Sequence, residues 1–327
     1  MTTTRSLMRA LVLLATGLSA AVGPAAAQTY PSKPIRMIVG YSPGGAVDLI
    51  ARTLGQRLSS ALGQPVIVEN KPGAGTNVAN RALIDSTPDG YTLMLAANAI
   101  AVNPALFQPP PFDPLRDMTA VAIVGRVPVV LAAGTGANAP QSIAALIAQS
   151  KAKPNSVDFG TPGNGSTPHL AIELFERAAG IELLHVPYKG GAPAINDVLA
   201  GHVQTVAVNA LEVLPHVKAG KLRVLAVLSP SRTPILPDAP TIAESGFPGF
   251  EASVWYGVVG PAGLPAPIVQ RLHAEVQKAL DAPELRERLT SAGGEVLPGP
   301  QDHFSALLAS EMARYEKLIR AAQIKPD

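Results

Sequence analysis

Short apolar runs rich in Val and Ile alternate with amphipathic helical stretches along nearly the whole chain, and glycine-rich turns fill several of the joints between them. Alternation of this kind marks βαβ units, whose right-handed crossovers build a sheet covered by helices. Residues 35–39 read as a strand, 47–62 as a helix and 66–68 as the next strand. In that helix Val47, Ile50, Leu54, Leu58 and Ala61 recur at helical spacing, so one apolar stripe faces the sheet. Gly63 is placed to close it in the left-handed conformation. Further strands are expected at 91–96, 121–124, 129–132, 157–160, 203–208, 222–228 and 254–259. A hydrophobic content of 47% with only 4% aromatic residues means a core of Ala, Val, Leu and Ile, which suits a largely parallel α/β sheet.

Two proline-rich stretches punctuate the series. Residues 109–114 end a first α/β block and 230–240 end a middle one, and both are candidate approaches to a hinge. The tail, with helices expected at 267–280, 283–292 and 302–322, is too poor in strands to stand alone and is expected to return to the first block. The expected organisation is therefore one discontinuous α/β domain, 28–124 with 227–327, and a second α/β domain, 125–226, inserted into it.

The first residues bear on compartment. Arg5 and Arg9 precede an apolar run over 11–22 that is short for a bilayer span, and Ala25-Ala26-Ala27 supplies the small residues at which an export leader is cleaved. Residues 1–27 read as a cleavable signal peptide, against the alternative of an uncleaved anchor, and Gln28 would begin the mature, exported chain. Removing two arginines and no acid leaves 24 basic against 24 acidic residues, which is not the footprint of a nucleic-acid binder. With no cysteine, the chain has no disulfide, no thiolate chemistry and no cysteine for a lipid anchor, and must be held by packing alone. A mature length near 300 residues suffices for that.

Three glycine-rich turns stand where a strand hands over to a helix. In Tyr41-Ser42-Pro43-Gly44-Gly45-Ala46 the two glycines let backbone N–H groups at a helix start approach an anion, on the positive end of the helix dipole. The plain alternative is a tight turn. The second, Gly160-Thr161-Pro162-Gly163-Asn164-Gly165-Ser166-Thr167, is followed by Pro168 at a helix start, with Thr167 as the expected N-cap. Both would sit at the carboxyl ends of strands, where open α/β sheets bind ligands. The third, Tyr188-Lys189-Gly190-Gly191-Ala192-Pro193, opens another helix, and Lys189 either adds charge to a cleft or lies on the surface. Asp48 either meets a ligand ammonium group or satisfies N–H groups of its own helix start.

Enzymatic patterns are absent. The chain has no G-x-x-x-x-G-K-[ST], no H-E-x-x-H and no G-x-S-x-G, so no cofactor or catalytic group is expected. Ser166 and His169 share a helix start, but no acid is placed to orient the imidazole. His169, His185, His202 and His216 are too scattered to suggest a metal set.

The motifs Pro43-Gly44-Gly45-Ala46-Val47-Asp48, Val68-Glu69-Asn70-Lys71-Pro72-Gly73-Ala74-Gly75, Pro88-Asp89-Gly90-Tyr91-Thr92-Leu93, Asn103-Pro104-Ala105-Leu106, Gly163-Asn164-Gly165-Ser166, Val186-Pro187-Tyr188-Lys189-Gly190, Trp255-Tyr256-Gly257 and Pro261-Ala262-Gly263 occur in one order. In these, over about residues 30–317, the chain resembles the receptors of tripartite tricarboxylate transporters, the Bug or TctC-type solute-binding proteins. The resemblance implies a periplasmic binding protein type II-like fold, a Venus flytrap of two α/β lobes joined by two crossing strands, with the ligand cleft between them. It implies a carboxylate ligand and a two-subunit membrane permease as partners, with no nucleic acid, and a monomeric receptor. Carried over residue by residue, the ligand contacts would be Ser42, Gly44, Gly45, Ala46 and Asp48 from the first loop, and Thr161, Gly163, Asn164, Gly165 and Ser166 from the second, with Thr167 and Tyr188 beside them. Tyr41 stands where the family usually has Phe, Thr76 and Ala79 replace glycines, and Gln204 and Asn209 lie near positions often acidic. Tyr41, Asn98 and Asn209, each at an expected strand end, are therefore candidates for setting selectivity. A ligand sensor for a membrane signalling partner and an exported hydrolase remain as rival functions.

Overall fold

Residues 35–70 fold as the βαβ unit their periodicity predicts, strand β1 (Ile35–Val39), helix α1 (Ala46–Leu62) and strand β2 (Val66–Asn70), with β1 and β2 parallel. Ile50, Leu54 and Leu58 on α1 are fully buried, each worth roughly 1.5–3 kcal/mol against exposure. Gly63 ends the helix at φ 68°, donating its N–H to Ser59 O. The computed structural model describes residues 30–229, 231–291, 294–322 and 324, of which those from Lys33 onward form one compact unit; the expected signal peptide, 1–27, and Ala292 lie outside the described residues.

The chain continues through a 3₁₀ turn (Ala74–Thr76), α2 (Asn77–Ile84), β3 (Thr92–Ala97), α3 (Ala99–Leu106), α4 (Pro114–Asp117) and β4 (Met118–Gly134). Next come α5 (Ile143–Ala152), β5 (Asp158–Thr161), α6 (Thr167–Ala179), β6 (Leu184–Pro187), α7 (Gly191–Ala200), β7 (Thr205–Asn209), α8 (Ala210–Lys218) and β8 (Leu222–Val227). The remainder is β9 (Ser253–Pro261), α9 (Ala266–Leu280), α10 (Pro283–Thr290), β10 (Glu295–Val296) and α11 (Gln301–Ala322).

The two strands expected at 121–124 and 129–132 are one. β4 runs unbroken for 17 residues and carries the chain from one sheet to the other. Its first part pairs antiparallel with β9, from Met118 opposite Pro261 to Pro128 opposite Ser253. From Val129 and Val130 onward it pairs instead with β7 and β8. Pro128, which lacks an N–H, thus falls where one ladder ends and the other begins. The strand path is β2-β1-β3-β9-β4-β7-β5-β6, mostly parallel toward its ends and antiparallel around β4. β6 was not expected from periodicity: it has four residues, pairs only with β5, and leaves Leu184 exposed.

Two clusters of buried side chains stand out, the first reaching across to Leu170 on α6. One holds Ile38, Leu83, Met94, Trp255 and Phe304, and the other Val130, Val198, Val206, Val213 and Leu222. Helix α11 belongs to the first, where Phe304 meets Trp255 edge-on at 5.5 Å between ring centroids. No described helix is long and apolar enough to cross a membrane.

Candidate functional site

Four helices begin around one small cavity. Gly45 and Ala46 open α1, Ser166 and Thr167 open α6, Gly191 opens α7, and Asn209 and Glu212 flank the start of α8; with Tyr41 and Asn98 they line a space of about 20 Å³, room for about one water. An outer cavity of about 210 Å³ continues past Tyr41 and Pro162 to Gly163, Asn164 and Tyr188. Helix starts converge here because each follows a strand or loop that delivers its unbonded N–H groups, and the positive dipole end, to the same edge.

The three predicted turns come together, but they use many of their own donors. Gly44, at φ 87°, donates its N–H to Asp48 Oδ2 at 2.9 Å, and Asp48 also accepts from Asn70 Nδ2 at 2.9 Å and from Arg52. Burial works to raise the Asp48 carboxyl, but the hydrogen bonds from Arg52, Gly44 and Asn70 outweigh it and hold its pKa below the ordinary range. Asp48 therefore braces the first loop. In the second loop Thr161 Oγ1 lies 2.7 Å from His185 Nε2 and accepts from the Gly163 N–H, while the Gly165 N–H donates to His169 Nδ1 at 3.2 Å. The cap of α6 is Ser166, one residue before the expected Thr167, because its hydroxyl accepts from the His169 N–H. His169 and His185, distant in sequence, stack at 4.2 Å behind this loop, and burial holds His185 down to a pKa of about 4. No metal-capable cluster occurs among the described residues.

Ser42 donates its N–H to Lys189 O at 2.7 Å, tying the first turn to the third, while the Lys189 side chain is exposed. Tyr188 donates to Asp197 Oδ2. Asn98 lines the cavity with its side chain already engaged, Nδ2 with Tyr315 OH at 2.9 Å and Oδ1 with the Trp255 N–H at 2.9 Å. A larger cavity of about 600 Å³, between α6, residues 246–252 and α11, is mainly apolar, and Arg314 there is held by Glu311 and Tyr315.

One residue that sequence reasoning passed over, Glu212, completes the site. Glu212, 9% exposed, places its carboxylate in the inner cavity: Oε1 accepts from Asn209 Nδ2 at 2.9 Å, and Oε2 has no hydrogen-bond partner among the described residues. Asn209 Oδ1 and Tyr256 OH are likewise buried without a partner among those residues. Burial pushes the Glu212 pKa up, opposed by the Asn209 amide and the Ala46 N–H. The same burial, together with the Glu212 charge, raises Tyr41 and Tyr256. Gly191 is required by this acid, since a Cβ there would stand 1.5 Å from Glu212 Oε2.

Residues 50–324 match the model of the tripartite tricarboxylate transporter family receptor. The chain belongs to that family. The receptor is 38% identical to protein BugT of Bordetella pertussis over 304 residues, 92% of this chain and 93% of that protein. Among solved structures it resembles Rpa4515 of R. palustris, determined with adipate, at 33% identity and TM-score 0.86, covering 91% of this chain and all of the other. It also resembles MatC of Rhodopseudomonas palustris, determined with malate, at 29% identity and TM-score 0.83, covering 89% and 100%. The fold is thus the two-lobed, type II-like α/β fold of periplasmic binding proteins, with β4 passing between the sheets, and the receptor is a solute-binding protein of a family of periplasmic receptors, not an enzyme.

Proposed function

We propose that the receptor captures a small carboxylate-bearing solute between its two lobes, 28–124 with 227–327 and 125–226, and delivers it to the permease subunits of a tripartite tricarboxylate-type transporter. In this reading residues 1–27 direct export and are removed, and the mature protein works in the periplasm as a monomer. The observation that carries it is the convergence of four helix starts on one cavity, which concentrates N–H donors and positive dipole ends where an anion would be held. The adipate and malate in the structures of two relatives support the same ligand class. Tyr41, Ser42, Gly45, Ala46, Asn164, Ser166, Thr167, Tyr188 and Asn209 are the residues from sequence proposed to face the solute. Gly44, Asp48, Asn98, Thr161, Gly163 and Gly165 are proposed to shape the loops that present them.

Calorimetry on mature protein beginning at Gln28, against a panel of small carboxylates with product analysis, tests the reading. Binding on the order of micromolar, about 8 kcal/mol, with the solute recovered unchanged is expected. Turnover of the solute, or a solute without a carboxylate, would sink it.

A further inference from the structure

We propose that the preferred solute carries an ammonium group beside its carboxylate, seated against Glu212 and Asn209, so that the receptor selects an amino carboxylate over a plain dicarboxylate. The inference rests on the receptor reading above and names the solute class of the same site.

The inner cavity presents two acceptors that nothing among the described residues satisfies. Asn209 Nδ2 is spent on Glu212 Oε1 at 2.9 Å, which turns Asn209 Oδ1 away from the acid; Glu212 Oε2 and Asn209 Oδ1 then both stand buried and without partners. A carboxylate solute brings only further acceptors to such a pair. An ammonium group brings three N–H donors and the opposite charge, and forms the stronger, charge-assisted kind of hydrogen bond.

Electrostatics point the same way. Glu212 Oε2 lies where the starts of α1 and α7 meet, 3.8 Å from the Cβ position of Gly45 and within reach of Gly191. The acid thus already answers part of the positive potential of those two helix ends, and a second anion at the same spot would be repelled. Burial dominates the titration of Glu212, and no Lys or Arg among the described residues offsets it. A buried charge of this kind is costly until a cation reaches it. The inner space of about 20 Å³ takes one small group such as an ammonium, and the outer cavity of about 210 Å³ beside Gly163 and Asn164 is left for the solute carboxylate, so the two charges of one small zwitterion have separate seats.

Matched pairs decide it. Malate and aspartate differ only by hydroxyl against ammonium, and adipate and 2-aminoadipate only by hydrogen against ammonium. Calorimetry of the full mature protein should find the amino member of at least one pair bound about tenfold or more tighter than its parent. In Glu212→Gln, verified as folded by thermal melting, that ratio should fall toward one, and Asn209→Ala should lower it by less. Preference of the wild-type protein for malate and adipate would overturn the inference while leaving a carboxylate receptor intact, and a preference that survives Glu212→Gln would overturn it too. Failure of all four compounds, while a solute with no carboxylate binds, would overturn the receptor reading and this inference together. The wild-type pairs discriminate on their own even if the Glu212 variant does not fold.

Discussion

Asp48 and Glu212 occupy equivalent places in the two parts of the fold. Each is a buried acid in the first turn of a helix that follows a strand, α1 after β1 and α8 after β7. Their surroundings are opposite. Asp48 has Gly44, Asn70 and Arg52 around both oxygens and is held in its charged form, whereas Glu212 has only the Asn209 amide and the Ala46 N–H, no cation, and an Oε2 without a hydrogen-bond partner among the described residues, and is pushed toward its neutral form. Position on a helix therefore does not decide what an acid does. Completion of its hydrogen bonds does: a satisfied acid braces a loop, and an unsatisfied one waits for a partner.

The largest effect should come from removing the satisfied acid. Asp48→Ala leaves the Gly44 N–H and Asn70 Nδ2 without their acceptor and strips Arg52 of its counter-ion. A loss of about 2–4 kcal/mol in denaturant unfolding is expected, with a melting temperature lower by about 5–10 °C. A loss below about 0.5 kcal/mol would erase the distinction between the two acids.

Gly191 gives a sharper test, because its backbone is not in the left-handed region and the three atoms nearest to its Cβ position all belong to Glu212. Gly191→Ala should cost about 1–3 kcal/mol in the wild-type background by displacing the carboxylate. In a Glu212→Ala background the same change should be neutral or mildly stabilising, since alanine is the better helix former. The double-mutant cycle isolates that coupling. Equal costs in both backgrounds would show that Glu212 does not sit against Gly191.

Much of this arrangement was legible beforehand. Strand and helix periods placed β1, α1 and the tail helices within a residue or two, and the glycine turns marked three of the four helix starts at the cavity. Gly125, Arg126 and Pro128 interrupt the apolar run of β4, so its continuity appears only once β9, β7 and β8 supply partners on either side of the break. Glu212 was invisible for a related reason. A glutamate in a first helical turn is the ordinary complement to a helix dipole and carries no sign of burial in sequence. Its isolation is set by Gly45, Ala46 and Tyr41, more than 160 residues earlier in the chain. Asn209, at a strand end, was the one nearby residue that pattern alone could reach.

The smallest effect is in the pH dependence of stability without solute, and here the two acids should differ in sign. Glu212 has a raised pKa, so the folded protein binds this proton more tightly than the unfolded chain, whose carboxyl titrates near 4.5; stability is full below that value and falls as pH rises through the folded one. Asp48 has a lowered pKa, so its contribution is present above about 3.8 and is lost as pH falls below it. Two other groups overlap these windows. Glu176, raised to about 7 mainly by burial, also loses stability as pH climbs, and His185, held near 4, loses it as pH drops below 6.5. Both cancel when wild type and Glu212→Gln are compared directly. Denaturant unfolding at pH 5 and pH 8 should therefore show a smaller decline in the glutamine variant, with the variant gaining on wild type as pH rises. Parallel declines in the two proteins would mean that Glu212 titrates as an ordinary exposed acid, and the contrast with Asp48 would not hold.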